Sequence, residues 1–225
     1  MFDTAIIMAG GKGTRMFPVS DYVPKPLVKV RDKTLIDHCI DNLKEKGISN
    51  IYVTYNYKSE LLVSHIEKRV SGLVNTINQD NSYFLFNTII KHIDKPVIVM
   101  PCDIIMSFNF AQLHDEYKSS NDTYILPVKY KKGMNPDFIK CKDKQSKYKV
   151  TSIGRGPSYK GCNICASGLQ VLTPSIVNKQ VSSSSNWNDV WKQLIDNKNL
   201  QIFPSFATNW ETYDRLEQIL TTEIK

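Results

Sequence analysis

The sequence lacks several features that would assign its class directly. It has no apolar run long enough to cross a bilayer, and Met1-Phe2-Asp3 lacks the basic residues that open a signal peptide. Its five cysteines are odd in number and irregularly spaced, which argues against a disulfide scaffold and for a reducing compartment. We therefore expect a cytoplasmic protein with no membrane partner.

Motifs for zinc binding and for nucleophilic catalysis are also scarce. Cys162 and Cys165 form one CxxC, but no second CxxC or histidine pair is present to complete a zinc site. The sequence shows no Ser-His-Asp or Cys-His pattern either. We interpret the two cysteines as ordinary buried or half-buried thiols.

Negative charge is in the minority, with 22 Asp and Glu against 29 Lys and Arg and a net charge of +7. The cations are scattered, and the densest cluster, Lys129-Tyr130-Lys131-Lys132, is short. A binding stripe for nucleic acid needs more basic residues in one place. We therefore expect an anionic small molecule as partner rather than nucleic acid.

Apolar segments alternate with amphipathic ones in the βαβ manner that predicts a parallel sheet. The predicted strands of this part are 5–8, 51–55, 73–77, 96–100 and 124–128, with helices between them. The pattern then changes to a β-hairpin at 138–153, a strand at 167–172, a helix at 187–195, a strand at 200–203 and a helix at 213–219. The fold class is α/β, with helices flanking a mostly parallel sheet and an inserted β-hairpin region.

The loop after the first predicted strand is the most informative segment. Its sequence is Ala9-Gly10-Gly11-Lys12-Gly13-Thr14-Arg15, and Lys25 follows between two prolines. Glycine permits positive φ and close approach of a ligand, and successive N–H groups can bind an anion. The Arg15 guanidinium and the Lys25 ammonium both suit phosphate oxygens. The loop predicts a polyphosphate site, and the alternative is a glycine-rich turn beside surface cations.

Two common phosphate motifs do not fit this loop. A Walker loop needs Gly-Lys-Ser/Thr, but Gly13 follows Lys12. A dinucleotide fingerprint needs a third glycine at position 16, where this chain has Met16 with Pro18 soon after.

The pattern from Met8 to Met16 with Pro18, followed by Pro24-Lys25-Pro26-Leu27-Val28 and Val30, resembles the signature of the sugar-1-phosphate nucleotidyltransferases. These enzymes have a GT-A-like Rossmann fold, and the phosphocholine cytidylyltransferases share most of the signature. The resemblance implies transfer of a nucleoside monophosphate from a triphosphate to a sugar 1-phosphate, with Mg²⁺ as cofactor and pyrophosphate as product. The alternatives are a cytidylyltransferase for phosphocholine or another small phosphorylated molecule, and a catalytically weak nucleotide-binding regulatory homologue.

The resemblance also implies roles for individual residues. Arg15 would clamp the β and γ phosphates, and Lys25 would neutralise charge on the α phosphate. Asp103, at the carboxyl end of an apolar strand, would hold Mg²⁺, although aspartate also suits a turn or helix cap. The other residues assigned to the nucleotide are Ala9, Gly10, Gly11, Gly13 and Thr14, together with Gln79 and Asn81 for the base.

Residues 1–225 would form one domain, with a nucleotide-binding half at about 1–130 and an acceptor-binding half at about 131–225. Arg155, Lys160 and Gly168 would contact the acceptor. The sequence leaves the acceptor, the pathway and the oligomeric state open, including a homo-oligomer.

Three departures from the family pattern have consequences for function. The segment after Gln79 has no glycine, so the base stays open between CTP, UTP, GTP and dTTP. The family's Glu-Lys-Pro segment is replaced by Gly154-Arg155-Gly156-Pro157. The family's second metal aspartate aligns with neutral Thr208 or Asn209, while Glu211 and Asp214 are assigned to the last helix. Activity is then either retained on Asp103 alone, lowered or lost.

Overall fold

A computed structural model describes residues 2–77, 79, 82–117, 122–142, 148–183 and 186–223. The strands are β1 (Thr4–Met8), β2 (Lys29–Val30), β3 (Lys33–Thr34), β4 (Asn50–Tyr55), β5 (Gly72–Asn75), β6 (Val97–Pro101), β7 (Ile104–Ser107), β8 (Thr123–Lys129), β9 (Phe138–Cys141), β10 (Val150–Gly154), β11 (Ile164–Leu172), β12 (Leu200–Ile202) and β13 (Thr208–Thr212). The helices are α1 (Leu35–Glu45), α2 (Ser59–Ile66), α3 (Tyr83–Asn87), α4 (Phe110–Tyr117), α5 (Pro174–Gln180), α6 (Trp187–Asp196) and α7 (Leu216–Glu223).

In the described part of the chain, nine strands form one mixed sheet around β1. β1 pairs in parallel with β6 on one side and with β4 on the other, and β5 pairs in parallel with β4. β11 runs antiparallel to β6 and joins the sheet to β8, β9 and the β9–β10 hairpin. The predicted fold class, an α/β protein with a mostly parallel central sheet flanked by helices, is confirmed.

The central strands are apolar because helices cover both faces of the sheet. Side chains alternate along β1, so that Ala5 and Ile7 pack with α1, whereas Ile6 packs in the cluster that contains α6 residues. Because both faces of the sheet are covered, the loops that follow β1, β4, β5 and β6 reach solvent at the carboxyl edge of these strands. No helix in the described ranges is both long and apolar enough to span a bilayer.

The prediction for the end of the chain is wrong at Glu211 and at 213–215, which were assigned to the last helix. Residues Thr208–Thr212 form β13, which pairs antiparallel with β7, and the last helix begins only at Leu216. Glu211 therefore belongs to a strand, and Asp214 lies in the turn before α7. The spacing of apolar residues predicted a helix that included Glu211. Thr208–Thr212 instead form a strand because they pair with β7, about 100 residues earlier in the chain.

Candidate active site

The loop at residues 9–16 leaves the carboxyl end of β1 with its backbone amides open. The Ala9 amide donates to the carbonyl and side-chain oxygens of Thr54, at 3.2 and 3.1 Å, and so fixes the start of the loop. No amide N–H from residue 10 to residue 15 donates a hydrogen bond to any described part of the chain. Gly10 and Gly13 are half-buried and the other four residues are exposed, and all six line the cavity described below, so these donors are open to an anionic ligand.

Two glycines let the loop lie close to its neighbours. A Cβ on Gly10 would be 2.7 Å from Thr76 Oγ1, so the loop packs directly on the end of β5. Gly13 has a left-handed φ of 67°, and a Cβ there would be 2.9 Å from Lys25 Cβ. The second contact fixes the loop beside Lys25.

Lys25 and Asp103 form an ion pair at the side of the loop. Lys25 starts a 3-10 turn after Pro24, and Asp103 follows β6, the strand next to β1. The Lys25 ammonium donates to the Asp103 carboxylate, and their side chains are only 14% and 19% exposed. Because the pair is largely shielded, its two charges are less screened than those of a surface pair.

Arg15 and Asp214 form a second ion pair, which the sequence did not predict. The Arg15 guanidinium donates to the Asp214 carboxylate. The amides of Asp214 and Arg215 both donate to Gln218 Oε1 at 2.8 Å, which holds the turn before α7. The Tyr213 amide donates to the Asp103 carbonyl at 2.8 Å, so the two carboxylate-bearing segments are joined directly. The local sequence around Asp214 does not predict its contact with Arg15, because the position of Asp214 depends on the pairing of β13 with β7.

These groups surround one cavity of about 710 Å³. The predicted site residues that line it are Ala9, Gly10, Gly11, Gly13, Thr14, Arg15, Lys25, Gln79 and Asp103. The lining residues that the sequence did not single out include Thr54, Asn56, Thr76, Asn186 and Asp214. Asn81 lies outside the described residues.

Thr208 and Asn209 lie away from this cavity. Both are exposed at the start of β13, where they contact Ser107 of β7. The carboxylate that this end of the chain brings to the cavity is Asp214, a few residues further on.

The three predicted acceptor residues occupy different places. Arg155 lines a second cavity of about 670 Å³ between β10 and α6, and it pairs with Asp137 at 2.7 and 3.1 Å. The hydrogen bonds that Arg155 donates to the Asp137 carboxylate raise the pKa of Arg155, and the negative charge of Asp214 adds to the effect.

Lys160 and Gly168 line neither cavity. Lys160 is exposed after the turn Pro157–Tyr159. Gly168 has a left-handed φ of 97° within β11, and a Cβ there would be 2.7 Å from Ile104 Cδ1. The acceptor roles of Arg155, Lys160 and Gly168 stay predictions.

Two further side chains lie at the cavity or contact a residue that lines it. Cys102 lies beside Asp103, and burial raises the pKa of its thiol to about 12, so the thiol is neutral and a poor nucleophile at neutral pH. Trp187, the first residue of α6, is almost fully buried and donates from Nε1 to the sulfur of Met8 at 3.1 Å. Met8 in turn lines the cavity.

The donor set fits Mg²⁺ together with a phosphorylated ligand. Mg²⁺ usually takes one or two carboxylates and completes its shell with phosphate oxygens and water. Asp103 and Asp214 supply two carboxylates in one cavity, beside open amides suited to phosphate. Among the described residues no group of three or more His, Cys, Asp or Glu could hold a metal without such a ligand.

This chain is similar in sequence to known proteins. A family model described as "Nucleotidyl transferase" matches residues 4–213. A mannose-1-phosphate guanyltransferase of Debaryomyces hansenii is 25% identical over 208 residues, which are 88% of this chain and 58% of that protein. A UTP–glucose-1-phosphate uridylyltransferase of Haloferax volcanii is 25% identical over 185 residues, 76% of this chain and 72% of that protein. The chain spans less than two thirds of the first of these relatives.

Solved structures share the fold at low identity. HddC from Yersinia pseudotuberculosis has a TM-score of 0.77 at 20% identity, with 100% of each chain covered. UDP-glucose pyrophosphorylase from Acinetobacter baumanii has a TM-score of 0.74 at 14% identity, covering 99% of this chain and 92% of that chain.

Proposed function

Because this chain belongs to the nucleotidyl transferase family, we propose that it transfers a nucleoside monophosphate from a nucleoside triphosphate to a sugar 1-phosphate. Pyrophosphate is released and a nucleoside diphosphate sugar is formed. The observation that carries the proposal is the run of six open amides beside Arg15 and Lys25. The names of the relatives, which act on mannose 1-phosphate and glucose 1-phosphate, support a sugar 1-phosphate as the acceptor.

The reaction is a single in-line displacement. A phosphate oxygen of the acceptor forms a bond to the α phosphorus, and the bond from that phosphorus to the bridging oxygen breaks as pyrophosphate leaves. Such transfers depend on positioning and on charge stabilisation more than on a nucleophilic side chain. The neutral thiol of Cys102, the one cysteine that lines the cavity among the described residues, agrees with a direct transfer.

Each group that lines the cavity has a separate role in binding the phosphates or stabilising their charge. The amides of 10–15 bind phosphate oxygens, and the Arg15 guanidinium holds the β and γ phosphates. Lys25 neutralises the charge that develops at the α phosphate. Both cations are paired with carboxylates of the same cavity, Arg15 with Asp214 and Lys25 with Asp103.

Asp103 and Asp214 are the proposed ligands of Mg²⁺. The ion would supply positive charge to the phosphate oxygens. The hydrogen bond from the Tyr213 amide to the Asp103 carbonyl joins the two segments that carry these carboxylates. Asp214 would then supply the second carboxylate, which neither Thr208 nor Asn209 has.

We further propose that residues 131–225 bind the acceptor and residues 1–130 bind the nucleotide. Arg155 is a cation of the second half that is suited to an acceptor phosphate, since it lines the second cavity between β10 and α6. Its present partner is the carboxylate of Asp137.

A turnover assay tests the proposal. The protein is incubated with Mg²⁺, each of ATP, CTP, GTP, UTP and dTTP, and either mannose 1-phosphate, glucose 1-phosphate or phosphocholine, and pyrophosphate is measured. We expect release with a sugar 1-phosphate, loss of release in Lys25→Ala and Asp103→Ala, and no change in Lys29→Ala, an exposed lysine on β2. Release with CTP and phosphocholine alone would instead identify a phosphocholine cytidylyltransferase. Tight nucleotide binding without release would identify a regulatory homologue.

A further inference from the structure

The polar lining of the nucleotide cavity is divided by charge along the sheet. The loop after β1 lies in the middle, and on the β6 side the cavity is bounded by the Lys25–Asp103 pair. On the other side, at the carboxyl ends of β4 and β5, the lining polar groups are neutral: Thr54, Asn56, Thr76 and Gln79. The negatively charged phosphates are attracted to the cations, so the neutral side is the part of the cavity that suits a nucleobase.

Asn56 presents a fixed acceptor on the neutral side. Its Nδ2 donates to the carbonyl of Thr76 at 3.1 Å, which determines how the amide is oriented. Its Oδ1 accepts no hydrogen bond from the described part of the chain, although the residue is half-buried and lines the cavity. An acceptor in this position loses its water when a ligand covers it, so a ligand that supplies an N–H is favoured over one that does not.

The surroundings of Asn56 are tightly packed. A Cβ on Gly10 would be 3.4 Å from Asn56 Cβ and 2.7 Å from Thr76 Oγ1. Thr76 is buried, and its hydroxyl donates to the Tyr55 carbonyl at 3.1 Å. Gly10 and Thr76 therefore lie directly beside the Asn56 side chain, whose amide is oriented by its hydrogen bond to the Thr76 carbonyl.

We propose that Asn56 is a specificity-determining residue that selects the base of the triphosphate by accepting one of its ring N–H groups at Oδ1. The inference rests on the proposed function, because it assigns the base end of the same nucleotide site. It names the class of ligand more closely: a nucleoside triphosphate whose base edge presents an N–H toward the ends of β4 and β5.

Calorimetry with Mg²⁺ present tests this role. The probes are ATP, CTP, GTP, UTP and dTTP, with inorganic tripolyphosphate as a ligand that has no base. In Asn56→Ala we expect the spread of Kd between the best and worst triphosphates to shrink about five- to tenfold, while the Kd for tripolyphosphate stays within about twofold. Asn50→Ala, an exposed asparagine at the opposite end of β4, serves as the matched control and leaves both quantities unchanged.

A second measurement needs no variant. The proposal requires the preferred triphosphate to be GTP, UTP or dTTP, whose bases carry a ring N–H, and a preference for ATP or CTP would overturn it. The ring-N-methylated form of the preferred triphosphate should bind the unaltered protein about five- to tenfold more weakly than the parent. In Asn56→Ala that difference is largely lost. Retained tripolyphosphate binding also shows that the variant is folded.

The outcomes separate the two proposals. If tripolyphosphate binds but the unaltered protein holds all five triphosphates within about twofold, or if Asn56→Ala keeps the original spread, the role of Asn56 is overturned and the phosphate site stands. If neither tripolyphosphate nor any triphosphate binds, the proposed function fails and the inference fails with it.

Discussion

Replacement of Gly13 by alanine is expected to damage both stability and triphosphate binding. The residue has a left-handed φ of 67°, which costs an alanine about 1–2 kcal/mol. The new Cβ would also lie 2.9 Å from Lys25 Cβ, and relief of such a contact in a packed site costs about 1–3 kcal/mol. We expect the free energy of unfolding to fall by about 2–5 kcal/mol in total.

Two other glycines separate these contributions. Gly47 has a left-handed φ of 81° with nothing within 4 Å of the added Cβ, so Gly47→Ala carries only the backbone cost of about 1–2 kcal/mol. Gly11 has open space and no left-handed φ, so Gly11→Ala is expected to change stability by less than about 1 kcal/mol.

Urea denaturation and calorimetry measure the two effects. Because the clash displaces Lys25, triphosphate binding in Gly13→Ala should weaken by about tenfold, whereas Gly47→Ala should bind like the unaltered protein. The reasoning is refuted if Gly13→Ala loses no more stability than Gly47→Ala, or if both variants bind triphosphate equally well.

Three further predictions concern charge and ionisation. Lys25→Ala leaves the half-buried Asp103 carboxylate without its cation and should lower the free energy of unfolding in urea by about 1–3 kcal/mol. Adding Asp103→Asn should restore part of this stability, and strictly additive effects in the double variant would contradict the reasoning. Burial raises the pKa of Cys102 to about 12, so iodoacetamide at pH 8 should modify the more exposed Cys162 first, as followed by mass spectrometry. Burial opposes ionisation of Asp37, but hydrogen bonds from its neighbours outweigh it and lower the pKa. The stability that this carboxylate contributes is therefore present above about pH 4 and lost below it, and acid unfolding of Asp37→Asn should show a smaller loss.

The sequence predicted the features that depend on neighbouring residues. The loop at 9–15 could be recognised because its glycines, Arg15 and Lys25 are close together in the chain. Asp103 could be placed because it follows an apolar strand, and such strands end at the ligand-binding edge of an α/β sheet. The roles of these residues are still predictions, but their placement around one cavity agrees with the sequence.

Features that depend on distant pairing were missed. The place of Asp214 follows from β13 and β7, two strands about 100 residues apart, whereas its local sequence favours a helix. The orientation of Asn56 follows from the Thr76 carbonyl and from the packing of Gly10, which come from three different segments. Alternation and helical spacing describe one element at a time, so they carry no information about such contacts.

The contact between Trp187 and Met8 couples the intrinsic fluorescence of the protein to its nucleotide cavity. The indole is shielded from water and is joined to the sulfur of a residue at the edge of the nucleotide cavity. A ligand that shifts Met8 changes the surroundings of the ring, so the intrinsic fluorescence of the unlabelled chain should follow occupancy in real time.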